Sequence, residues 1–340
     1  MKRNLLIFVS TLVGAFLFLL VFYLFDVVIV FSNMLKVGPW GLGVFLINVF
    51  FILLVGAFSW QIILRAYGYS LPFKDVLLIK TIGFAVSYLT PSMYVGGEPI
   101  RIYLLGKKHR ISMTRIGATV VVDKFLELGA GLFYIFLGSI FTLVYYDLPP
   151  QLFVMLVVIN TVFVGAMILL LISFIYKTRP FSPLIGALGK IRPLQKPVNF
   201  VMPTIFKLEG EIFSAFDKYG KSTLKAFLLN LFIGGLIFVK PFIFFYFLDF
   251  ILNLPQLALL FALTHLILAL QFTPGALGIF EWGEVGIFGL IGIASEKALA
   301  YSLMVRIADL LVVVGASIAG VHMGVKHFWG KRRDENMCSV

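Results

Sequence analysis

Charge is scarce in this chain of 340 residues. Only 13% of positions are Asp, Glu, Lys or Arg, against 61% hydrophobic, and the mean hydropathy is +1.03. That deficit excludes an ordinary water-soluble domain. Cysteine is nearly absent as well: Cys338 stands alone, so no intrachain disulfide can form. A free thiol is expected there, with palmitoylation as the alternative; the residue falls one place short of a prenylation signal. The four histidines, His109, His265, His322 and His327, share no metal-ligand spacing with each other or with acids. No metal or other cofactor is therefore expected. Period-2 alternation is also missing, which excludes a membrane β-barrel. A net charge of +12 would suggest nucleic acid for a soluble protein, but here topology accounts for most of it, and no nucleic-acid partner is expected.

Long apolar runs are what the sequence has in abundance. About 20 such residues, at ~1.5 Å each, cross the hydrocarbon. Full spans are expected at 5–25, 42–64, 116–146, 152–176, 223–249 and 298–325. The first run is too long for a signal-peptide core and lacks a cleavage site, so it reads as a retained span. Segments 75–106 and 256–292 are apolar but interrupted by Thr-Pro and glycines, and their pieces are short. They read as two re-entrant helical hairpins, since irregular backbone at membrane depth must be buried in protein or line a wet cavity. The expected class is an all-α polytopic membrane protein with six full transmembrane helices and two re-entrant hairpins in an inverted repeat. One membrane domain, 1–340, would comprise halves of about 1–146 and 152–325.

The positive-inside rule supports this layout. With both termini cytoplasmic, most of the 28 basic residues fall inside, including Lys107, Lys108, Arg110 and the run from Lys177 to Lys225. Only Lys36 and Lys297 fall in external loops, as expected of a multi-pass plasma-membrane protein. The two hairpins then enter from opposite sides. Residues 177–222 form the long cytoplasmic loop, beginning as an irregular basic connector. After Pro203, the helical spacing of Ile205, Leu208, Ile212, Phe213 and Phe216 predicts an amphipathic helix on the inner leaflet.

A short polar signature occurs twice, 183 residues apart. Thr90-Pro91 is followed by Glu98, and Thr273-Pro274 by Glu281; Thr81 aligns with Thr264, and Ser112 with Ser295. Paired broken segments at matching positions point to a transporter's binding site. In the first hairpin, Glu98 before Pro99 reads as a helix N-cap. Gly96 and Gly97 let the backbone turn or approach a ligand closely, and Arg101 could clamp phosphate or pair with Glu98. In the second hairpin, Glu281 and Glu284 share a helix face near Gly275. They need cations, supplied by Arg306 or by a substrate ammonium. Candidate substrate contacts are thus Arg101, Glu98, Glu281, Glu284, Arg306, Gly96, Gly97, Thr90, Thr273 and Gly275. Asp123, Lys124 and Glu127 in one following span, Arg306 and Asp309 in the other, suggest an ion network between the repeats. Lys240, beside Pro241, is a further candidate. Lys80 reads as a snorkelling side chain.

At these residues the chain resembles the flippase-like family, also described as the lysylphosphatidylglycerol synthase transmembrane region. The matching stretches are Gly97-Glu98-Pro99-Ile100-Arg101, Ile111-Ser112 through Asp123-Lys124, and Pro274-Gly275-Ala276-Leu277-Gly278-Ile279-Phe280-Glu281 through to Arg306. The family usually has Gly at the place of Ala276 and often Glu-Arg at the place of Asp123-Lys124. The resemblance implies a lipid translocase moving an aminoacyl- or glyco-phospholipid, or a polyprenyl-phosphate lipid, by alternating access. Some members carry a soluble aminoacyl-transferase domain; none is expected within this chain, so synthase activity is not carried over. Expected partners are membrane lipids with phosphate headgroups, with a second copy of the chain and a separate lipid-modifying enzyme as further candidates. The alternative is an intramembrane enzyme acting on polyprenyl diphosphate. Pro274-Gly275 superficially resembles the loop of that class, but Ala276-Leu277-Gly278 offers no nucleophile.

Overall fold

The computed structural model describes residues 2–90, 96–147, 149–190, 195–269 and 273–337, and among them every regular element is helical. Expectations placed on Pro91, Gln271, Phe272 and Cys338 lie outside the described residues. Among the described residues, five helices are long and apolar enough to cross a membrane, or six if a bent pair counts as one. With its many exposed Val, Leu, Ile and Phe side chains, this is an integral membrane protein. Helix α7 (Pro150–Ile175) illustrates the point: Val154, Val158, Val162, Phe163 and Leu169 all face outward. In water such a stripe would be costly, but hydrocarbon is a good solvent for it.

The chain opens with α1 (Lys2–Leu24), which turns by 90° into α2 (Val27–Lys36). An external loop was expected after residue 25. Instead, Asp26 Oδ1 accepts hydrogen bonds from the N–H groups of Val28 (2.9 Å) and Ile29 (3.2 Å) and starts a new helix. Helix α3 (Gly38–Ala66) follows, then α4 (Phe73–Leu89), a break, α5 (Glu98–His109) and the long α6 (Met113–Tyr145). After α7 come α8 (Phe181–Leu188) and α9 (Gln195–Phe216). The order then recurs: α10 (Gly220–Phe238) with α11 (Lys240–Tyr246), α12 (Leu254–Ala269), a break, α13 (Ile279–Leu290) and α14 (Ser295–Met337). The predicted span 223–249 is found as one crossing helix, Gly220–Tyr246, with α10 and α11 joined at Val239, where Pro241 can donate no backbone hydrogen bond.

Packing partners are reciprocal. Helix α4 lies on α14 and α12 lies on α6, so the first arm of each helix–break–helix unit packs on the last long helix of the other half. Helices α3 and α10 pack together between them. Small residues permit the close contacts. A Cβ added at Gly138 would sit 2.5 Å from the Ala258 carbonyl oxygen, and one at Gly234 would sit 2.4 Å from the Tyr134 ring. The arms α4 and α12 have 17 and 16 residues, whereas α5 and α13 have 12 each. At ~1.5 Å per residue the shorter arms reach about 18 Å, well under the ~30 Å of hydrocarbon.

The 177–222 segment departs from expectation. Its first part contains α8 rather than only irregular connector, and α9 begins at Gln195, eight positions before Pro203. Part of the apolar face of α9 packs on protein. Ile212 and Phe213 pack with Ile63, Ala118, Leu126 and Phe174 at the ends of α3, α6 and α7. Buried Glu209 accepts hydrogen bonds from the N–H groups of Phe181 (2.7 Å) and Ser182 (3.0 Å) and from the Ser182 hydroxyl, clasping α8 to α9. Helix packing here satisfies an apolar face that sequence periodicity alone assigns equally well to lipid.

Candidate functional site

A cavity of about 330 Å³ lies where the two helix–break–helix units meet, within the size range of small-ligand sites. Its wall draws on both halves: Lys80, Glu98, Arg101, Lys124 and Glu127 from the first, Lys240, Thr264, His265, Arg306 and Asp309 from the second. Aliphatic residues of α3 and α10, among them Val49, Leu53, Ile233 and Ile237, complete it.

In the first half the break is closed by glycine. Gly97 caps α5, and its N–H donates to Ser87 Oγ at 2.8 Å. A Cβ on Gly97 would lie 1.8 Å from the carbonyl oxygen of Gly83, so the two arms touch backbone to backbone. Close approach, not a positive φ, demands glycine here, since φ is −92°. Glu98 is consequently the first helical residue rather than the cap. Without a Cβ at Gly83, the aliphatic part of Arg101 lies across α4. The Arg101 guanidinium sits 4.1 Å from the centre of the Trp60 ring and donates to Asp123 Oδ2 at 2.6 Å. Asp123, fully buried, also accepts from Lys80 Nζ at 2.9 Å. Lys80 does not snorkel: its ammonium also donates to the Gly56 carbonyl at 2.9 Å, because a carboxylate and a carbonyl closer than any interface offer a better destination. Lys124 pairs with Glu127 at 3.1 Å and lies 3.9 Å from Glu98.

In the second half the break includes a short 3-10 turn, Pro274–Ala276; Gly275 and Ala276 within it and Gly278 after it have φ of +59°, +52° and +77°. Thr273 Oγ1 donates to the Leu277 carbonyl at 3.0 Å. Glu281 Oε2 accepts from the Gly278 N–H at 2.8 Å, the reaching-back arm of a capping box. Its other oxygen accepts from Arg306 Nε at 2.5 Å. Arg306 Nη1 also donates to the Gly275 carbonyl and, across the halves, to the Tyr88 hydroxyl, both at 3.0 Å.

The expected ion network between repeats is therefore corrected. Each half closes its own ion pair, Arg101–Asp123 and Arg306–Glu281, and the Arg306–Tyr88 hydrogen bond links the halves. Burial explains this: a desolvated carboxylate needs its counter-ion within direct reach, and in each half the short helix and the following long helix supply the two partners. Asp123, Lys124 and Glu127 still gather around the first hairpin, whereas Asp309 and Lys240 take no part in either pair.

Several candidate contacts stand elsewhere than expected. Glu281 and Glu284 do not line the cavity; both are buried behind its wall, and Glu284 accepts from the Thr264 hydroxyl at 2.7 Å. Gly96, Thr90 and Thr273 are not on the wall either, and Thr90 Oγ1 donates to the Val86 carbonyl at 2.9 Å. Arg101, Glu98, Gly97, Gly275 and Arg306 are on it. Sequence reasoning passed over Lys80 as a wall residue, together with Ser87, Tyr88, Thr264 and Tyr301. The offset of 183 that pairs Thr81 with Thr264 was a usable signal, since both line the cavity.

Comparison with known sequences fits this arrangement. The sequence model of the lysylphosphatidylglycerol synthase TM region matches residues 7–317. The chain belongs to that family. Proteins similar to it include a UPF0104 membrane protein of Methanothermobacter thermautotrophicus, 24% identical over 283 residues, covering 80% of this chain and 82% of the relative. A UPF0104 membrane protein of Methanocaldococcus jannaschii is 22% identical over 257 residues, covering 74% and 75%. One from Pyrococcus horikoshii is 22% identical over 281 residues, covering 76% and 78%. The family's transmembrane region thus extends over both helix–break–helix units and the cavity between them.

Proposed function

We propose that the protein is a lipid translocase, not an enzyme, that moves a phosphate-headed lipid across the membrane. The reading holds that the halves are inverted repeats, that α4–α5 and α12–α13 are re-entrant hairpins entering from opposite faces, and that both termini are on the cytoplasmic side of the plasma membrane. One observation carries it. The cavity is lined by elements of both halves, with cations from each, the acids Glu98, Glu127 and Asp309, and aliphatic and aromatic side chains between them. A polar headgroup fits the charged part while acyl chains remain in lipid. Relative movement of the halves would open the cavity to either side in turn. Arg101 and Arg306 lend positive potential to it while their carboxylates hold them in place.

Translocation is tested in proteoliposomes containing phosphatidylglycerol, an aminoacylated phosphatidylglycerol or a polyprenyl-phosphate sugar, each carrying a headgroup reporter. The expected result is faster exchange of one lipid between leaflets than in empty vesicles, and loss of that gain in folded Arg101→Ala protein. Exchange no faster than in empty vesicles for all three lipids sinks the proposal.

A further inference from the structure

Within the cavity, cations divide into committed and uncommitted. Lys80 and Arg101 are held by Asp123, Arg306 by Glu281, and Lys124 by Glu127. Lys240 differs. It lines the cavity, half-buried, at the start of α11, and among the described residues it makes no hydrogen bond or ion pair. Asp309 of α14 is its acidic counterpart: half-buried, on the same wall, and likewise without a hydrogen bond or ion pair among the described residues. No salt bridge joins the two, although each lies within electrostatic reach of the other and Arg306 within reach of Asp309. An ammonium and an acid held on a cavity wall without a direct hydrogen-bond partner are costly unless a ligand or water satisfies them. Tyr301 and Thr264 line the same cavity.

Resting on the translocase reading, we propose that Lys240 and Asp309 are the residues that read the headgroup. Lys240 takes the phosphate. Asp309 takes a hydrogen-bond donor beside that phosphate, a hydroxyl or an ammonium. The paired cations set the potential of the cavity, whereas these two groups are free to exchange solvent for ligand without breaking an ion pair. The preferred lipid thus has a phosphodiester followed within a few bonds by a donor. A bare phosphate or an uncharged lipid lacks one or both features.

Binding is measured on the purified full chain in detergent by native mass spectrometry, with phosphatidylglycerol, phosphatidylethanolamine, phosphatidic acid and diacylglycerol as probes. Wild type is expected to retain at least one of the first two over phosphatidic acid, and diacylglycerol least. The favoured one tells whether hydroxyl or ammonium is the donor. Lys240→Glu should weaken the three phosphate lipids about tenfold and leave diacylglycerol unchanged, with Lys240→Arg close to wild type. Asp309→Ala should lower the favoured lipid to the level of phosphatidic acid. Lys207→Ala, on the exposed face of α9, is the control. If Lys240→Glu is not monodisperse, Lys240→Gln carries the same comparison. Folded variants at both positions with wild-type selectivity overturn the assignment, as does a wild type that binds diacylglycerol as well as the phosphate lipids. Selective binding without leaflet exchange in vesicles leaves this assignment standing and removes the translocase reading instead.

Discussion

The two helix–break–helix units solve one problem with opposite polarity. In the first, the short helix carries the base, Arg101, and the following long helix carries the acid, Asp123; in the second, the short helix carries the acid, Glu281, and the long helix carries the base, Arg306. The reversal has structural consequences. Glu281 can reach back and cap its own helix through the Gly278 N–H, which an arginine could not do. The first unit has no such cap and closes instead by direct contact of Gly83 and Gly97. Asp123 must also satisfy two cations, while Arg306 spreads its donors over Glu281, Gly275 and Tyr88. Close backbone contact and the Gly97–Ser87 hydrogen bond join the arms of the first unit, whereas the Glu281 cap and its ion pair with Arg306 brace the second.

That contrast can be broken by paired substitutions, each pair set out from its larger expected effect to its smaller. Gly97→Ala should be the most damaging, because its Cβ would overlap the Gly83 carbonyl; a loss above about 4 kcal/mol is expected, seen as failure to recover monodisperse protein. Gly275→Ala, strained by its φ of +59° and crowded by the Tyr88 ring at 2.8 Å, should cost less, about 1–3 kcal/mol. A first unit that tolerates alanine better than the second would refute the distinction. Asp123→Asn strands two buried cations and should cost about 3–5 kcal/mol in thermal unfolding. Glu281→Gln leaves Arg306 with two other acceptors and should cost nearer 2–3 kcal/mol. Equal effects would mean that the number of partners is irrelevant. Tyr88→Phe removes one of the hydrogen bonds between the halves and should lower stability by about 1.5 kcal/mol. The smallest effect belongs to a surface pair: Lys177→Ala, which loses exposed Asp217, should change stability by under about 0.5 kcal/mol, and by less still in high salt.

Much of the helical layout was legible because lipid imposes length and apolarity directly on each span. The breaks could be read too, since Thr-Pro and glycine clusters interrupt otherwise continuous hydrophobic runs. The ion pairs were not. Arg101 is 22 residues from Asp123, and Glu281 is 25 from Arg306; no helical period connects them, so only packing of short on long helix brings them together. For the same reason Lys80, 43 residues from Asp123, read as a surface-seeking side chain. The periodicity of α9 did reveal an amphipathic helix. It carries no information on whether the apolar face meets lipid or protein, and the buried Glu209 that decides the matter looks like any solvated acid in sequence. Likewise, the acidic Glu281 and Glu284 looked like ligand contacts, because an intramembrane carboxylate has the same signature whether it faces a cavity or caps a helix.

The first helix closes over the last break. Trp282 Nε1 donates to the Leu17 carbonyl at 3.0 Å, across 265 residues of chain, and Gly14 allows α1 to approach Thr273 and Leu277. At a synthesis rate of roughly 5–20 residues per second, about 13–50 s separate the emergence of these two partners from the ribosome. During that interval α1 is already in the bilayer with its seat still unmade. The second break can settle only after almost the whole polypeptide has been delivered, so premature termination before Trp282 would leave an N-terminal helix available to chaperones and membrane proteases as a marker of unfinished assembly.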